Sequence, residues 1–205
     1  LGICPGEPGL KMKDAMEEEK SCPIKPLSGL IMAGGASRRM GRDKALLNYH
    51  GQAQYLHLAA LLQAVGVPPF LSCQASQQQA WQPPIECILD TEAGQGPLAG
   101  LKAAFRHNPQ TAWLVVACDL VDLNQASLNQ LLHSRRPEVD VTAFRSPFDQ
   151  GAEPLLAIWE PSVAEPLARA FARGERSPRR FLQQQRLHLI EPEQPDALKN
   201  VNHPR

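Results

Sequence analysis

Leu30-Ile31-Met32-Ala33-Gly34-Gly35-Ala36-Ser37-Arg38-Arg39-Met40-Gly41-Arg42-Asp43-Lys44 is the stretch from which the rest of the chain is read. The apolar run Leu27 to Met32 predicts a buried strand. It breaks at Gly34-Gly35, where a backbone without side chains can approach a ligand closely. The loop then turns basic. It offers backbone N–H groups from Ala33 to Ala36, the Ser37 hydroxyl, the guanidinium groups of Arg38 and Arg39 and the Lys44 ammonium. A polyphosphate needs this equipment: many N–H donors at short range, with fixed cations around them. Neither G-x-x-x-x-G-K-[ST] nor G-x-G-x-x-G is present, so the pattern implies a third kind of phosphate loop. Gly-Gly with scattered arginines alone would describe an ordinary turn with a solvated basic surface, but the string is much longer than such a turn.

The stretch resembles the signature loop of nucleotidyltransferases of the glycosyltransferase-A type, L-A-G-G-x-S-x-R-M-G-x-D-K, and within them that of the molybdenum cofactor guanylyltransferases. Met32 stands where Leu is usual. The doubled Gly34-Gly35 and the Asp43-Lys44 ending favour this branch over the related cytidylyltransferases, which usually carry Ala-Ala-Gly. The resemblance runs from about Leu27 to Pro204. It implies an α/β fold, a three-layer α/β/α domain with a mostly parallel, Rossmann-like central sheet.

Composition agrees with one such domain. At 205 residues, with 21 basic and 21 acidic side chains, the chain has room for one core and carries no net charge to mark it as a nucleic-acid binder. No apolar run approaches the roughly 20 residues that span a bilayer, and no signal-peptide pattern appears, so a soluble, cytoplasmic protein is expected. Cys4, Cys22, Cys73, Cys87 and Cys118 form no C-x-x-C pair and read as reduced thiols. The six histidines have no ligand spacing and are assigned to surface or packing. Residues 1–26 read as a tail or linker with a possible short helix from Asp14 to Lys20, leaving 27–205 as the catalytic domain.

After the loop, periodicity predicts a helix over Gln54–Val65, a strand over Phe70–Cys73, a polar loop-like run over Gln74–Gln82 and a strand over Ile85–Leu89. Asp90 then opens a second loop into a helix with Leu101, Ala104 and Phe105 on one face. In open α/β sheets, loops at the carboxyl ends of strands converge on one crevice, and Asp90 and Gly96 fall there. Gly96-Pro97-Leu98-Ala99-Gly100 resembles the family's guanine-facing loop, although taken alone it is an ordinary helix entry. Trp113 to Ala117 is the most apolar strand and ends in Cys118-Asp119. A carboxylate at a central strand tip suits a hard cation, with a turn or cap residue as the alternative. The family has Cys-Asp-Met-Pro here, with the Asp on Mg²⁺. This chain has Leu120-Val121 after the Asp.

Further on, a helix is expected over Asn124–His133, strands over Val139–Phe144 and Glu153–Trp159, a helix over Val163–Arg173 closed by Gly174, and another opened by Ser177-Pro178. The strand from Glu153 resembles a family segment near the pterin acceptor. Arg169, Arg173, Arg176, Arg179 and Arg180 cluster in this region, either beside that acceptor or as a solvated helix face. Asn200-Val201-Asn202 resembles a family Asn-Val-Asn segment that returns to metal and substrate, with His203 where Thr is usual.

The activity implied is transfer of GMP from GTP to the terminal phosphate of molybdenum-loaded molybdopterin, with GTP and Mo-molybdopterin as substrates and Mg²⁺ as cofactor. Transient contacts with other molybdenum cofactor proteins are implied as well, and neither nucleic acid nor membrane. Lys44, Asp119 and Arg38 would be catalytic. Met32, Ala33, Gly34, Gly35, Ser37, Arg39, Lys44, Ser72, Asp90, Gly96, Pro97, Leu98 and Asp119 would bind the nucleotide, Asp119 and Asn202 the metal, and Asn200, Asn202 and Arg179 the acceptor. Cytidylyl transfer, transfer to a sugar phosphate, and nucleotide sensing without turnover are the competing readings.

Overall fold

The computed structural model describes residues 25–33, 43–90, 92 and 95–201. Gly34, Gly35, Ser37, Arg38, Arg39, Asn202, Cys4, Cys22 and the expected helix over Asp14–Lys20 lie outside the described residues. In chain order the main elements are β1 (Leu27–Met32), α1 (Gln54–Ala64), β2 (Pro69–Cys73), α2 (Ala75–Trp81), β3 (Cys87–Leu89), α3 (Pro97–His107), β4 (Ala112–Ala117) and α4 (Gln125–His133). They continue with β5 (Val141–Arg145), β6 (Ala152–Trp159), α5 (Ala164–Ala172), α6 (Pro178–Leu182) and β7 (Leu187–Ile190).

These strands form one seven-stranded sheet in the order β3-β2-β1-β4-β6-β5-β7. All neighbours run parallel except at β6, which is antiparallel to both β4 and β5. The sheet is buried on both faces, and the period of two along each strand decides which core a side chain joins. From β4, Leu114 and Val116 face α1 and α4, packing with Leu58, Leu62, Leu128 and Leu131. Trp113 and Val115 face α3, α5 and α6, packing with Leu101, Phe105, Phe171 and Phe181. The result is the three-layer, mostly parallel α/β architecture that the sequence implies.

Two elements depart from the sequence reading. The glutamine-rich run after β2 is not a loop but the helix α2, which buries none of its residues fully and so shows no apolar stripe. Glutamine is nevertheless a good helix former. The helix is fastened at its ends: Gln74 N–H donates to Gln77 Oε1 (2.8 Å), and Trp81 stacks on Tyr55 with ring centroids 6.0 Å apart. The second departure is β7, an edge strand parallel to β5 that the pattern does not announce. All four of its residues are half-buried.

Asp140 secures that edge. Arg186 Nη2 donates to Asp140 Oδ1 (2.8 Å), Arg186 Nε to Oδ2 (3.1 Å) and Ser162 Oγ to Oδ1 (2.7 Å). The Arg186 hydrogen bonds hold the Asp140 carboxyl down at about 2, against an ordinary 3.8. A depressed carboxyl contributes stability that is complete above its unfolded value and is lost as pH falls through the folded one. Between pH 5 and pH 2 this pair is expected to give up about 1 kcal/mol, a modest figure because the guanidinium faces water. Urea unfolding of Asp140→Asn should show a correspondingly flatter acid limb, and an unchanged one would mean that the pair does not bear on acid stability.

Candidate active site

The carboxyl ends of β1, β2, β3 and β4 lie along one edge, and Met32, Ser72, Asp90 and Asp119 are distributed on it. Met32 ends β1, and Ala33 N–H continues the pairing by donating to Ser72 O (3.0 Å). Ser72 is buried one strand over. Asp90 follows β3, with its N–H on Cys73 O (2.9 Å) and its Oδ1 accepting the Glu92 N–H (2.9 Å). Asp119 follows β4.

Helix α3 approaches this edge closely because of two glycines. Gly96 adopts φ of 84°, which other residues avoid, and so turns the chain into Pro97 at the helix start. Gly100 lies on the strands: a Cβ there would sit 2.4 Å from Ser72 Oγ and 2.9 Å from Met32 Cε. Leu98 is buried beneath the same turn. Gly100→Ala is therefore expected to cost about 1–3 kcal/mol in urea unfolding. The displaced atoms are those of Ser72 and Met32, so nucleotide titration of the same variant tests the nucleotide role that the resemblance gives these two residues, with weaker binding expected.

Lys44 begins a short 3-10 turn, Lys44–Leu46, capped by Asp43, whose Oδ1 accepts the Ala45 N–H (3.3 Å). The turn carries the ammonium across to Asp119, with Lys44 Nζ 3.6 Å from Asp119 Oδ2. The second carboxylate oxygen, Asp119 Oδ1, is buried and has no hydrogen-bond partner among the described residues. A buried carboxylate oxygen without a donor is costly, and a divalent cation satisfies it directly. No group of three or more His, Cys, Asp and Glu is placed to hold a metal among the described residues. One carboxylate with phosphate oxygens is the usual arrangement for Mg²⁺, so the residues present fit that ion.

The loop after Asp119 is held from several sides. Gln54 Nε2 donates to Leu120 O (3.3 Å), and His50 Nε2 lies 2.9 Å from Val121 O. Leu120 forms a β-bridge with Asn200, and Val201 N–H donates to Asp119 O (2.9 Å). The backbone at Asn200 and Val201 thus runs beside Asp119. The neighbouring Cys118 thiol is pushed up by burial and by the charges of Asp119 and Asp43, which disfavours its thiolate.

Arg179 lies on the other side of Asp119. It pairs with Asp149 and, at 3.3 Å, with Glu153, so its charge is already answered by two carboxylates. Burial raises the Glu153 carboxyl, Arg179 opposes this, and the charges of Asp149 and Asp119 add to the rise. Of the other arginines, Arg169 pairs with Glu165 one turn away, and Arg176 sits over the Phe171 ring at 3.8 Å. The cluster is thus shared among helix surface, aromatic packing and ion pairs at the sheet edge.

Sequence reasoning gave no role to Gln77 or to the Glu153 carboxylate, and it quoted Asp43 only as part of a motif. Gln77 meets Asp43 and Ala33 from a helix that periodicity does not reveal, so no local signal marks it.

Residues 29–189 match the model of the MobA-like NTP transferase domain. A protein of Pseudomonas fluorescens named molybdenum cofactor guanylyltransferase is 30% identical, over 89% of this chain and 92% of its own length. One of the same name from Pseudomonas syringae pv. tomato is 34% identical, over 89% and 88%. A Synechocystis molybdenum cofactor biosynthesis bifunctional protein is 34% identical over 87% of this chain, which spans only 52% of that longer relative. Among solved structures, molybdopterin-guanine dinucleotide biosynthesis protein A of Archaeoglobus fulgidus superposes with a TM-score of 0.70 at 23% identity. It covers 86% of this chain and 93% of its own and shares the fold. From the loop sequence, the strand order and the match over most of its length, the chain belongs to the MobA-like NTP transferase family.

Proposed function

We propose that the chain transfers GMP from GTP to the terminal phosphate of Mo-molybdopterin, releasing pyrophosphate and forming the guanine dinucleotide form of the cofactor. The observation that carries this is Asp119, with one oxygen facing Lys44 and the other buried without a hydrogen-bond partner among the described residues, at the sheet edge where β1 ends. The names of the curated relatives support GTP as donor.

In the reaction, an oxygen of the acceptor phosphate forms a bond to the α-phosphorus of GTP while the bond to the bridging α-β oxygen breaks. The electron pair leaves with pyrophosphate. The acceptor is already an anion, so no side-chain base is required. Catalysis comes from alignment and charge neutralisation. Lys44 balances negative charge growing on the α-phosphoryl oxygens. Asp119 would hold Mg²⁺, which when bound supplies Lewis-acid charge to the phosphoryl oxygens. Ala33 N–H is engaged by Ser72, which fixes the end of β1 beside the nucleotide. Arg38 and Arg39 are proposed to hold the leaving pyrophosphate. Asn200 and Asn202 are proposed on the acceptor. The Arg179 proposal is narrowed by its ion pairs, since an arginine between two carboxylates offers a phosphate little net charge. The reading sets the reaction in the cytoplasm, with contacts to other molybdenum cofactor proteins. No helix among the described residues is long and apolar enough to cross a membrane.

The test is pyrophosphate release with Mg²⁺ and Mo-molybdopterin, comparing GTP, CTP and ATP. Release with GTP alone is expected. Release with CTP instead would keep the mechanism and overturn the base assignment. Nucleotide binding without release would favour the sensing reading.

A further inference from the structure

The side chain of Gln77 joins three parts of the chain at the nucleotide edge. Its Oε1 accepts the Gln74 N–H at the start of α2 (2.8 Å). Its Nε2 donates to Asp43 Oδ2 (2.6 Å) and more weakly to Ala33 O (3.4 Å). These partners fix the amide orientation, because a backbone N–H requires the oxygen and a carboxylate requires the N–H. The bond to Asp43 is short and charge-assisted, the stronger class of hydrogen bond.

The contact has a direction of influence. Asp43 Oδ1 caps the turn that begins at Lys44, and Lys44 Nζ stands 3.6 Å from Asp119. Ala33 lies where β1 ends, and Asp43 caps the turn that carries Lys44. One amide therefore ties both of these residues to α2, which is itself held by the Trp81–Tyr55 stack. A Lys side chain has many rotamers, so the position of its ammonium depends on how firmly its backbone is held.

We infer that Gln77 is a positioning residue for Lys44: acting through Asp43, it fixes the turn that presents the ammonium to the reacting phosphate. The side-chain hydrogen bonds of Gln77 go to Gln74, Asp43 and Ala33, so its influence on Lys44 is indirect. The inference rests on the guanylyl-transfer reading and deepens it. Losing the tie should lower kcat while leaving the KM for GTP almost unchanged, because Lys44 acts chiefly on charge that grows in the transition state.

The test is a charge exchange. Gln77→Glu sets a second carboxylate against Asp43 and removes both N–H donors, and it is expected to lower kcat about 10- to 100-fold, the scale of a small misplacement at a reacting group. Adding Asp43→Asn restores the bond with its direction reversed, Asn donating to Glu. Oδ1 remains to cap Ala45, and the second Glu oxygen remains for Gln74. The double variant should recover to within about threefold of wild type, a coupling that unrelated sites do not show. Gln77→Leu, which removes the bond without adding charge, should resemble the single Glu variant. GTP titration and thermal unfolding of each variant separate loss of fold from loss of position. Wild-type kcat in Gln77→Leu, or no recovery in the double variant, would overturn the inference alone. A wild-type chain that binds GTP and releases no pyrophosphate would overturn the functional reading, and the inference with it.

Discussion

Asp119→Asn is expected to lower pyrophosphate release about 100-fold or more, the scale seen when a preorganised charge stabiliser is removed. The substitution keeps the shape of the side chain and removes its charge, so packing at the end of β4 is preserved. Two interactions go together: the ion pair to Lys44 at 3.6 Å, and the anionic oxygen that no described residue satisfies. The second matters more. An amide is a poor ligand for a hard cation, and among the described residues no group of three or more His, Cys, Asp and Glu stands ready to hold the ion in its place. Stability should move the other way or not at all, because a buried charged oxygen without a donor is removed. Steady-state turnover together with thermal unfolding checks both parts. Lost turnover with an unfolded protein would leave only a structural role for Asp119. Normal turnover would refute the metal assignment.

The largest effect on stability is expected far from that edge. Arg135 Nε and Nη2 donate to the two oxygens of Glu160 at 2.7 and 3.0 Å, with the side chains only 10% and 3% exposed. Glu160 directly follows β6. Because β6 runs antiparallel to β4, this end of the strand is opposite to Asp119. Arg135→Ala leaves the Glu160 carboxylate buried with its ion-pair partner gone, which costs about 3–5 kcal/mol. For a chain of this size that is a fall in Tm of about 10 °C or more. Replacing both residues by apolar side chains of similar volume should cost far less, since neither charge then needs solvation. Urea unfolding of the two single variants and the double variant measures the difference. Turnover per folded molecule should stay near wild type in all three. Equal loss in the single and double variants would show that the pair acts by packing rather than by charge.

Much of this architecture is legible in the sequence because its physics is local. The uninterrupted apolar run Trp113 to Ala117 is a central strand buried on both faces, and Asp119 at its tip is conspicuous for breaking that run. Ser177 caps its helix, as its position before Pro178 predicts, while Asn124, read from the sequence as the first helical residue, serves as the cap of α4. What the sequence hides depends on distant partners. Helix α2 presents most of its glutamines to solvent and is anchored through Trp81 and the polar Gln77, so its period is silent. The half-buried β7 owes its place to β5 and to the Asp140–Arg186 pair. The arginine cluster divides among partners that are far apart in sequence: Asp149 is 30 residues before Arg179, and Gln95 is 81 before Arg176. Charge alone does not distinguish those arginines.

The reversed strand β6 also governs how the molecule can diversify. On one flank of Asp119 the edge is made by the ends of parallel strands, each of which runs on into a helix, so a change in one loop length displaces a whole helix. On the other flank the edge is made by the turn between β5 and β6, residues 146–151, closed by Ser146 N–H on Gly151 O (2.7 Å) and steadied by Arg179 on Asp149 and Glu153. Such a turn can lengthen, shorten or change composition without moving any helix. The parallel half of the edge is therefore tied to the helix layer, whereas the other half, a hairpin between two strands, can be rewritten without it.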